Sequence, residues 1–106
     1  ETTTVNNLAK GKNFNRVFYY YKKNASKRNL EFKLSQTEFE QKRNNPCSYC
    51  GKPGPNGLDR INNKLGYMLT NITACCKVCN KAKDNLTVLE FKTWIKMVYK
   101  ELINGN

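Results

Sequence analysis

The residues of this sequence best suited to chemistry are cysteines in two closely spaced pairs. Cys47 and Cys50 form the first pair, Cys76 and Cys79 the second, and two residues separate the members of each pair. One tight turn can aim both thiolates of such a pair at a single ion, and two turns complete a tetrahedral site. We therefore predict a structural zinc site with four cysteine ligands, with Gly51 easing the turn after the first pair.

The alternatives for these thiols are disulfides, a redox pair or ordinary buried cysteines. A redox C-x-x-C motif would be expected once, in a βαβ context that this sequence lacks. Disulfides would need a secreted protein, and a total of five cysteines fits complete pairing poorly. The fifth, Cys75, could compete with Cys76, but only Cys76 gives the two-residue spacing. Cys75 is therefore predicted to be a small buried residue on a strand.

The chain is strongly basic. It has 106 residues, with 19 Lys and Arg against 8 Asp and Glu, a formal net charge of +11 and no histidine. This excess is spread along the chain and favours a polyanionic partner, while the lack of histidine excludes any site in this chain that needs an imidazole. No apolar run is long enough to cross a membrane and no signal peptide is recognised. We expect an intracellular protein, in the cytoplasm of the host or source cell; because the sequence begins at Glu1, its natural start is left open.

Two helices are predicted before the first cysteine pair. Residues 1–13 are polar and are expected to be mobile or lightly docked. A basic helix is predicted over 14–28, where aromatic and aliphatic residues recur at helical spacing. Residues 31–34 alternate, which predicts a strand or an extended link, and the capping box at 35–38 predicts a short helix that ends near residue 43.

Two strands and two further helices are predicted between and after the cysteine pairs. The strands are expected over 58–61 and 67–76, after a loop rich in Gly and Pro. A short helix follows over 78–84, opened by the second pair. The capping box at 87–90 begins a last helix with one apolar face, which Gly105 is predicted to stop.

The segment 57–83 resembles the HNH endonuclease family, in the zinc-knuckle branch and in the Asp-Arg form that some members share, and residues 19–43 resemble the lead-in of phage-type or virus-type members. Asp59 matches the acidic ligand on the first strand, Asn71 the middle asparagine, and Asn80 the helix ligand that follows a zinc-knuckle cysteine. The resemblance is close over 46–85. In the family pattern the middle asparagine orients a histidine; without one, Asn71 would position water or hold the loop.

The resemblance implies an α+β fold, a small ββα-metal (HNH/His-Me finger) core with a four-cysteine zinc site, flanked by N- and C-terminal helices. It implies one compact domain, in which residues 1–45 form a basic helical lead-in packed on a core at 46–106. The implied function is a divalent-metal-dependent DNA endonuclease or nickase that hydrolyses phosphodiester bonds. The alternatives are a catalytically weakened zinc-ribbon DNA-binding module with the same fold and, as a third option, a zinc-stabilised protein-interaction domain.

The implied catalytic ion is Mg²⁺ or Mn²⁺, held by oxygens of Asp59 and Asn80. Arg60 stands where the family usually has its general-base histidine, and an arginine cannot accept a proton at neutral pH. It could instead clamp the phosphate and stabilise the transition state. Another group would then be the base, either a metal-bound hydroxide or a tyrosine. Tyr67 and Tyr49 are the candidate tyrosines, and both are also expected to serve as packing residues.

Basic side chains on the first helix and around the second cysteine pair are predicted to contact DNA through its phosphates, and we expect this DNA to be double-stranded. For each side chain the alternative is a solvated basic surface, and a homodimer is an option that the sequence leaves open. The predicted contacts are Arg16, Lys22, Lys23, Lys27, Arg28, Lys77, Lys81 and Lys83.

Overall fold

The first helix of the computed structural model, α1, spans Arg16–Lys27. The Asn15 side chain begins it by accepting a hydrogen bond from the Phe18 N–H at 3.1 Å. After the helix ends, Asn29 adopts a left-handed φ of 56°, which asparagine tolerates better than most residues. The predicted basic helix is therefore present.

The structure describes residues 15–104. Three sequence predictions lie outside these residues: the mobility of 1–13, Phe14 as the first helical residue, and Gly105 as the end of the last helix.

The second helix, α2, spans Gln36–Arg43 and confirms the predicted capping box. The Ser35 N–H donates to Glu38 Oε1 at 2.9 Å, and the Glu38 N–H donates to Ser35 Oγ at 3.1 Å. This reciprocal pair satisfies two backbone donors that the helix itself cannot. It begins α2 directly after the extended link at 31–34.

Two short antiparallel strands form the sheet. Strand β1, Gly57–Arg60, pairs with β2, Ile72–Cys75, so that Asp59 lies opposite Thr73. The second strand is shorter than predicted because Leu69–Asn71 form a 3-10 helix. The extended link at 31–34 reaches the same region, where Phe32 forms an isolated parallel bridge with Tyr67.

The core lies between the first two helices and the sheet. Phe39 is fully buried on α2, and the rings of Phe18 and Tyr21 from α1 meet it edge to face, with centroids 5.3 and 5.1 Å away. Leu58 of β1 and Ile72 of β2 complete the same cluster. Residues from both sides of the predicted boundary at residue 45 therefore share one core.

Two helices follow the sheet. Helix α3, Lys77–Lys83, begins at Cys76, whose sulfur accepts a hydrogen bond from the Cys79 N–H at 3.4 Å. Helix α4, Val88–Tyr99, begins with the second predicted capping box and continues as a π-helical segment, Lys100–Asn104. No helix within residues 15–104 is both long and apolar enough to cross a membrane.

Helix α4 is anchored to the rest of the protein near its first turn. Phe91 is 2% exposed and packs edge to face on Tyr49, with ring centroids 5.2 Å apart. Further along, Trp94 is 46% and Leu102 68% exposed. The predicted apolar face is therefore partly solvent-exposed. The elements together make a small α+β fold with a two-stranded sheet, as predicted.

Replacement of Phe39 by alanine tests the position of the core. We expect Phe39→Ala to lower the free energy of unfolding by about 3–5 kcal/mol, because removal of a fully buried ring leaves a cavity. Tyr20→Ala on the outer face of α1, where the side chain is 49% exposed, is the matched control and should change stability by less than about 1 kcal/mol. Urea unfolding measures both, and equal losses would contradict the assignment.

Candidate metal centre and active-site cleft

The four predicted zinc ligands come together in one cluster. The sulfurs of Cys47, Cys50, Cys76 and Cys79 all lie within 4.8 Å of one another. Those of Cys50 and Cys76 are 3.6 Å apart. Tetrahedral ligation at a zinc–sulfur distance of about 2.3 Å places sulfurs about 3.8 Å apart. The four cysteines are thus positioned to bind a metal ion, and their type and spacing fit zinc.

The first cysteine turn is tied to the sheet. The Cys47 N–H donates to the Lys52 carbonyl at 2.8 Å, and the Gly51 N–H donates back to the Cys47 carbonyl at 2.9 Å. Gly51 has a φ of 80°, the left-handed conformation that favours glycine there. The Ser48 N–H donates to the Ala74 carbonyl of β2 at 2.9 Å, which brings the first pair beside the second.

The environment of the sulfurs favours thiolates at two of the four positions. Burial raises the pKa of Cys47, but backbone N–H groups from both cysteine turns donate to its sulfur and lower the pKa to about 6. The Cys79 N–H lowers the pKa of Cys76, whereas burial and the neighbouring thiols raise the pKa of Cys79. Thiolate is the form that binds metal, so two of the four sulfurs favour the metal-binding form.

Cys75 lies outside the metal cluster. It is fully buried on β2, and its thiol is 3.5 Å from the Cys76 carbonyl oxygen. Burial and the nearby Asp59 charge raise its pKa to about 12, so it stays a neutral thiol. The prediction of a small buried residue on a strand is confirmed.

A cleft of about 410 Å³ opens beside the cysteine cluster. Its walls include Asp59 and Arg60 from β1 and Asn80 from α3, three of the four predicted catalytic residues. Three of the predicted DNA contacts line the same cleft, namely Arg28, Lys77 and Lys81. The fold therefore gathers carboxylates, amides and several cationic groups around one opening.

Asp59 is held from behind by two donors. Its residue exposure is 5%. The Tyr49 hydroxyl donates to Oδ2 at 2.9 Å, and the Lys83 ammonium lies 3.2 Å from Oδ2 and 3.5 Å from Oδ1. Breaking a buried ion pair by removal of one partner destabilises a protein by about 3–5 kcal/mol. The two donors thus fix the orientation of the Asp59 carboxylate.

The prediction that Lys83 contacts DNA is wrong in this structure. Lys83 is 0% exposed, and its charge faces Asp59 instead of solvent. The sequence contains the signal that was missed: Lys83 lies four residues after Cys79 on α3, so both side chains share the helix face that looks toward the sheet.

Arg60 is fixed by the loop that follows β1. Its Nη1 donates to the Asn63 carbonyl at 2.6 Å and to the Leu65 carbonyl at 2.8 Å. The guanidinium also lies over the Tyr67 ring, 5.7 Å from its centroid. The side chain is therefore ordered at the cleft wall, with other N–H donors left to meet an anion.

Asn71 acts on this loop and does not reach the cleft. It is 4% exposed, and its Nδ2 donates to the carbonyls of Asn62 and Gly66 at 3.1 and 2.9 Å. Its Oδ1 accepts from the Asn62 N–H at 2.9 Å. Of the two roles that the sequence left open, holding the loop agrees with this geometry and positioning water in the cleft does not: Asn71 shapes the loop whose carbonyls hold Arg60.

The two candidate tyrosine bases differ in position. Tyr49 lies between the first two cysteines, and burial together with its hydrogen bond to Asp59 raises its pKa. It therefore keeps its proton at neutral pH. Tyr67 is 9% exposed and lines the cleft beneath Arg60.

The remaining predicted DNA contacts lie on α1. Arg16, Lys22, Lys23 and Lys27 are exposed. Lys22, Lys23 and Lys27 line a shallow depression whose residues differ from those of the cleft. Apart from the buried Lys83, the predicted DNA contacts are thus divided between the cleft and the exposed surface of α1.

Comparisons with known proteins bear on the fold. No family model matches this sequence. An uncharacterized protein of Acanthamoeba polyphaga mimivirus is 43% identical over 74 residues, which is 67% of this chain and 14% of that protein. Among solved structures, the rare-cutting HNH restriction endonuclease PacI superposes with a TM-score of 0.62 at 21% identity, covering 79% of this chain and 75% of the other. The fold is HNH-like. The chain spans about one seventh of the length of the viral relative.

Loss of one sulfur ligand tests the metal centre. We expect about one tightly held zinc per chain and a loss of zinc and folded structure in Cys79→Ser, because zinc-binding energy becomes folding energy. Elemental analysis and circular dichroism measure the two effects. Cys75→Ser is the matched control, since its thiol lies outside the cluster, and it should keep the zinc. A folded, zinc-loaded Cys79→Ser protein would refute the ligand set.

Proposed function

We propose that this chain is a divalent-metal-dependent endonuclease or nickase that hydrolyses phosphodiester bonds of DNA. The observation that carries the proposal is the cleft in which Asp59, Arg60 and Asn80 meet, on a fold shared with an HNH restriction endonuclease. A fold alone does not define an activity. The chemistry of these three side chains must supply the activity.

The residues present fit a hard divalent cation. Asp59 offers a carboxylate oxygen and Asn80 an amide oxygen, the donor types that Mg²⁺ and Mn²⁺ prefer. Asn80 is exposed on α3, and no hydrogen bond of its side chain is found among the described residues. Such an ion, when bound, would polarise the scissile phosphate and stabilise the leaving oxygen.

The chain's own residues would bind and orient the phosphodiester. Arg60 presents its remaining N–H donors from a guanidinium already fixed by two carbonyls, so little side-chain freedom is lost when a phosphate binds. It would stabilise the negative charge that grows in the transition state. Arg28, Lys77 and Lys81 would guide the DNA backbone toward the same opening.

The proton acceptor is not Arg60 or Tyr49. An arginine stays protonated at neutral pH, and burial and Asp59 raise the pKa of Tyr49. Of the two candidate tyrosines, Tyr67 is the better placed to accept a proton, because it lines the cleft under the Arg60 guanidinium. We propose that the attacking water approaches along this wall.

A second candidate function is a DNA-binding module with the same fold and little or no cleavage. The buried ion pair between Lys83 and Asp59 favours it, since a carboxylate already neutralised by an ammonium attracts a metal cation less strongly. The basic cleft would still bind the phosphates of DNA. Double-stranded DNA as the ligand, a homodimer and an intracellular location remain proposals for both candidates.

Plasmid cleavage separates the two candidates. With Mg²⁺ or Mn²⁺ we expect the zinc-loaded protein to convert supercoiled plasmid to nicked or linear product. Arg60→Ala should lower the rate by about 100-fold or more, because it removes a preorganised donor from the developing charge. Asn80→Ala and Asp59→Asn should also impair cleavage, and Lys92→Ala on the exposed side of α4 is the control. Folded wild type with no product above the Asp59→Asn background would exclude the nuclease.

DNA binding should show the salt dependence of phosphate contacts. We expect Lys81→Ala to reduce the slope of log K against log salt by about one and to weaken binding equally for different sequences. Fluorescence anisotropy with labelled duplexes in metal-free buffer measures this slope. Lys92→Ala should leave it unchanged. If wild type shows no salt-sensitive retention of DNA, the protein-interaction alternative replaces both candidates.

A further inference from the structure

We propose that Lys83 is an internal counter-ion of Asp59 that orients the carboxylate in the cation-free protein and keeps divalent cations weakly bound until an anionic phosphodiester arrives. The inference rests on the proposed function in that it takes Asp59 as the cation ligand. It concerns a residue for which cleavage chemistry alone needs no role.

The position of Asp59 between two environments supports this inference. On one side the carboxylate lines the cleft. On the other lies Lys83, which is 0% exposed and is not among the described residues that line the cleft. Substrate in the cleft would therefore meet Asp59 and not Lys83, so Lys83 is a positioning residue.

The hydrogen bonds of Asp59 limit what a cation could use. An ionised carboxylate offers about four lone-pair sites. Oδ2 accepts from the Tyr49 hydroxyl at 2.9 Å and from the Lys83 ammonium at 3.2 Å, and Oδ1 accepts from the same ammonium at 3.5 Å. About one site remains, on Oδ1, so Asp59 would offer a cation a single oxygen.

The cysteine turns deliver both donors. Tyr49 lies between Cys47 and Cys50, and Lys83 is one helical turn after Cys79 on α3. Burial of a lysine ammonium costs free energy of desolvation, which only pairing with an opposite charge offsets. Here the same cluster that fixes the fold also fixes the two groups that hold Asp59.

The charge balance gives the functional consequence. The ion pair of Asp59 and Lys83 carries no net charge. Among the described residues, the cleft wall otherwise carries the cations Arg28, Arg60, Lys77 and Lys81 against one further carboxylate, Asp84. A divalent cation alone is therefore repelled. A DNA phosphate adds the missing negative charge, so cation and phosphodiester should bind together.

The test measures cation binding without DNA. Zinc-loaded protein in buffer freed of other divalent metals is titrated with Mn²⁺, followed by electron paramagnetic resonance. We expect Lys83→Met to bind Mn²⁺ on the order of tenfold or more tightly than wild type, because a buried like charge a few ångströms away is removed. Lys92→Met on α4 is the matched control and should bind as wild type does. Affinity in Lys83→Met equal to or weaker than wild type would overturn the proposal.

A second variant covers the case in which Lys83→Met does not fold. The double variant Asp59→Asn/Lys83→Met removes both charges, so it should regain a higher melting temperature than Lys83→Met and should not respond to Mn²⁺. If the double variant is no more stable than the single one, Lys83 serves packing and the counter-ion role is wrong.

Wild-type plasmid cleavage is read separately. Tighter Mn²⁺ binding by Lys83→Met without wild-type cleavage would support the counter-ion role and reject the nuclease.

Discussion

Convergence of four sulfurs on one point is the constraint on which the rest of this structure depends. The core is small and much of the surface is Lys and Asn, so packing alone has limited reserve. The cluster joins the turn at 47–50 to residues 76–79, which directly follow β2. The two cysteine pairs also place groups that bear on the cleft: Tyr49, which donates to Asp59, lies inside the first pair, and Asn80 directly follows the second.

A second layer of order comes from backbone carbonyls. Asn71 draws the loop at 62–66 inward through three hydrogen bonds, and that loop supplies the two carbonyls that fix Arg60. Gly66 lets this loop pack closely against Glu31, because a Cβ at residue 66 would collide with the Glu31 backbone. An amide that never touches the cleft thus determines where a cationic side chain of the cleft points.

Much of this arrangement could be predicted from local sequence signals. The cysteine spacing predicted the cluster, the capping boxes predicted the starts of α2 and α4, and the family resemblance predicted which strand and helix would carry Asp59 and Asn80. The burial of Lys83 was missed because side-chain type favours the surface for lysine, and only its spacing from Cys79 indicated otherwise. The 3-10 helix that replaces the start of the predicted second strand includes Asn71, whose side chain bonds the loop at 62–66, and strand propensity contains no such information.

The apolar pattern of α4 also shows why periodicity does not determine burial. Its face is regular, yet within Val88–Tyr99 only Phe91 is buried, and the later turns meet solvent. A helix of this length held at one end has little cooperative support at the other. In this chain its backbone amides should therefore exchange their hydrogens along a gradient, slowest beside Phe91 and fastest toward Asn104, with the far end opening independently of global unfolding.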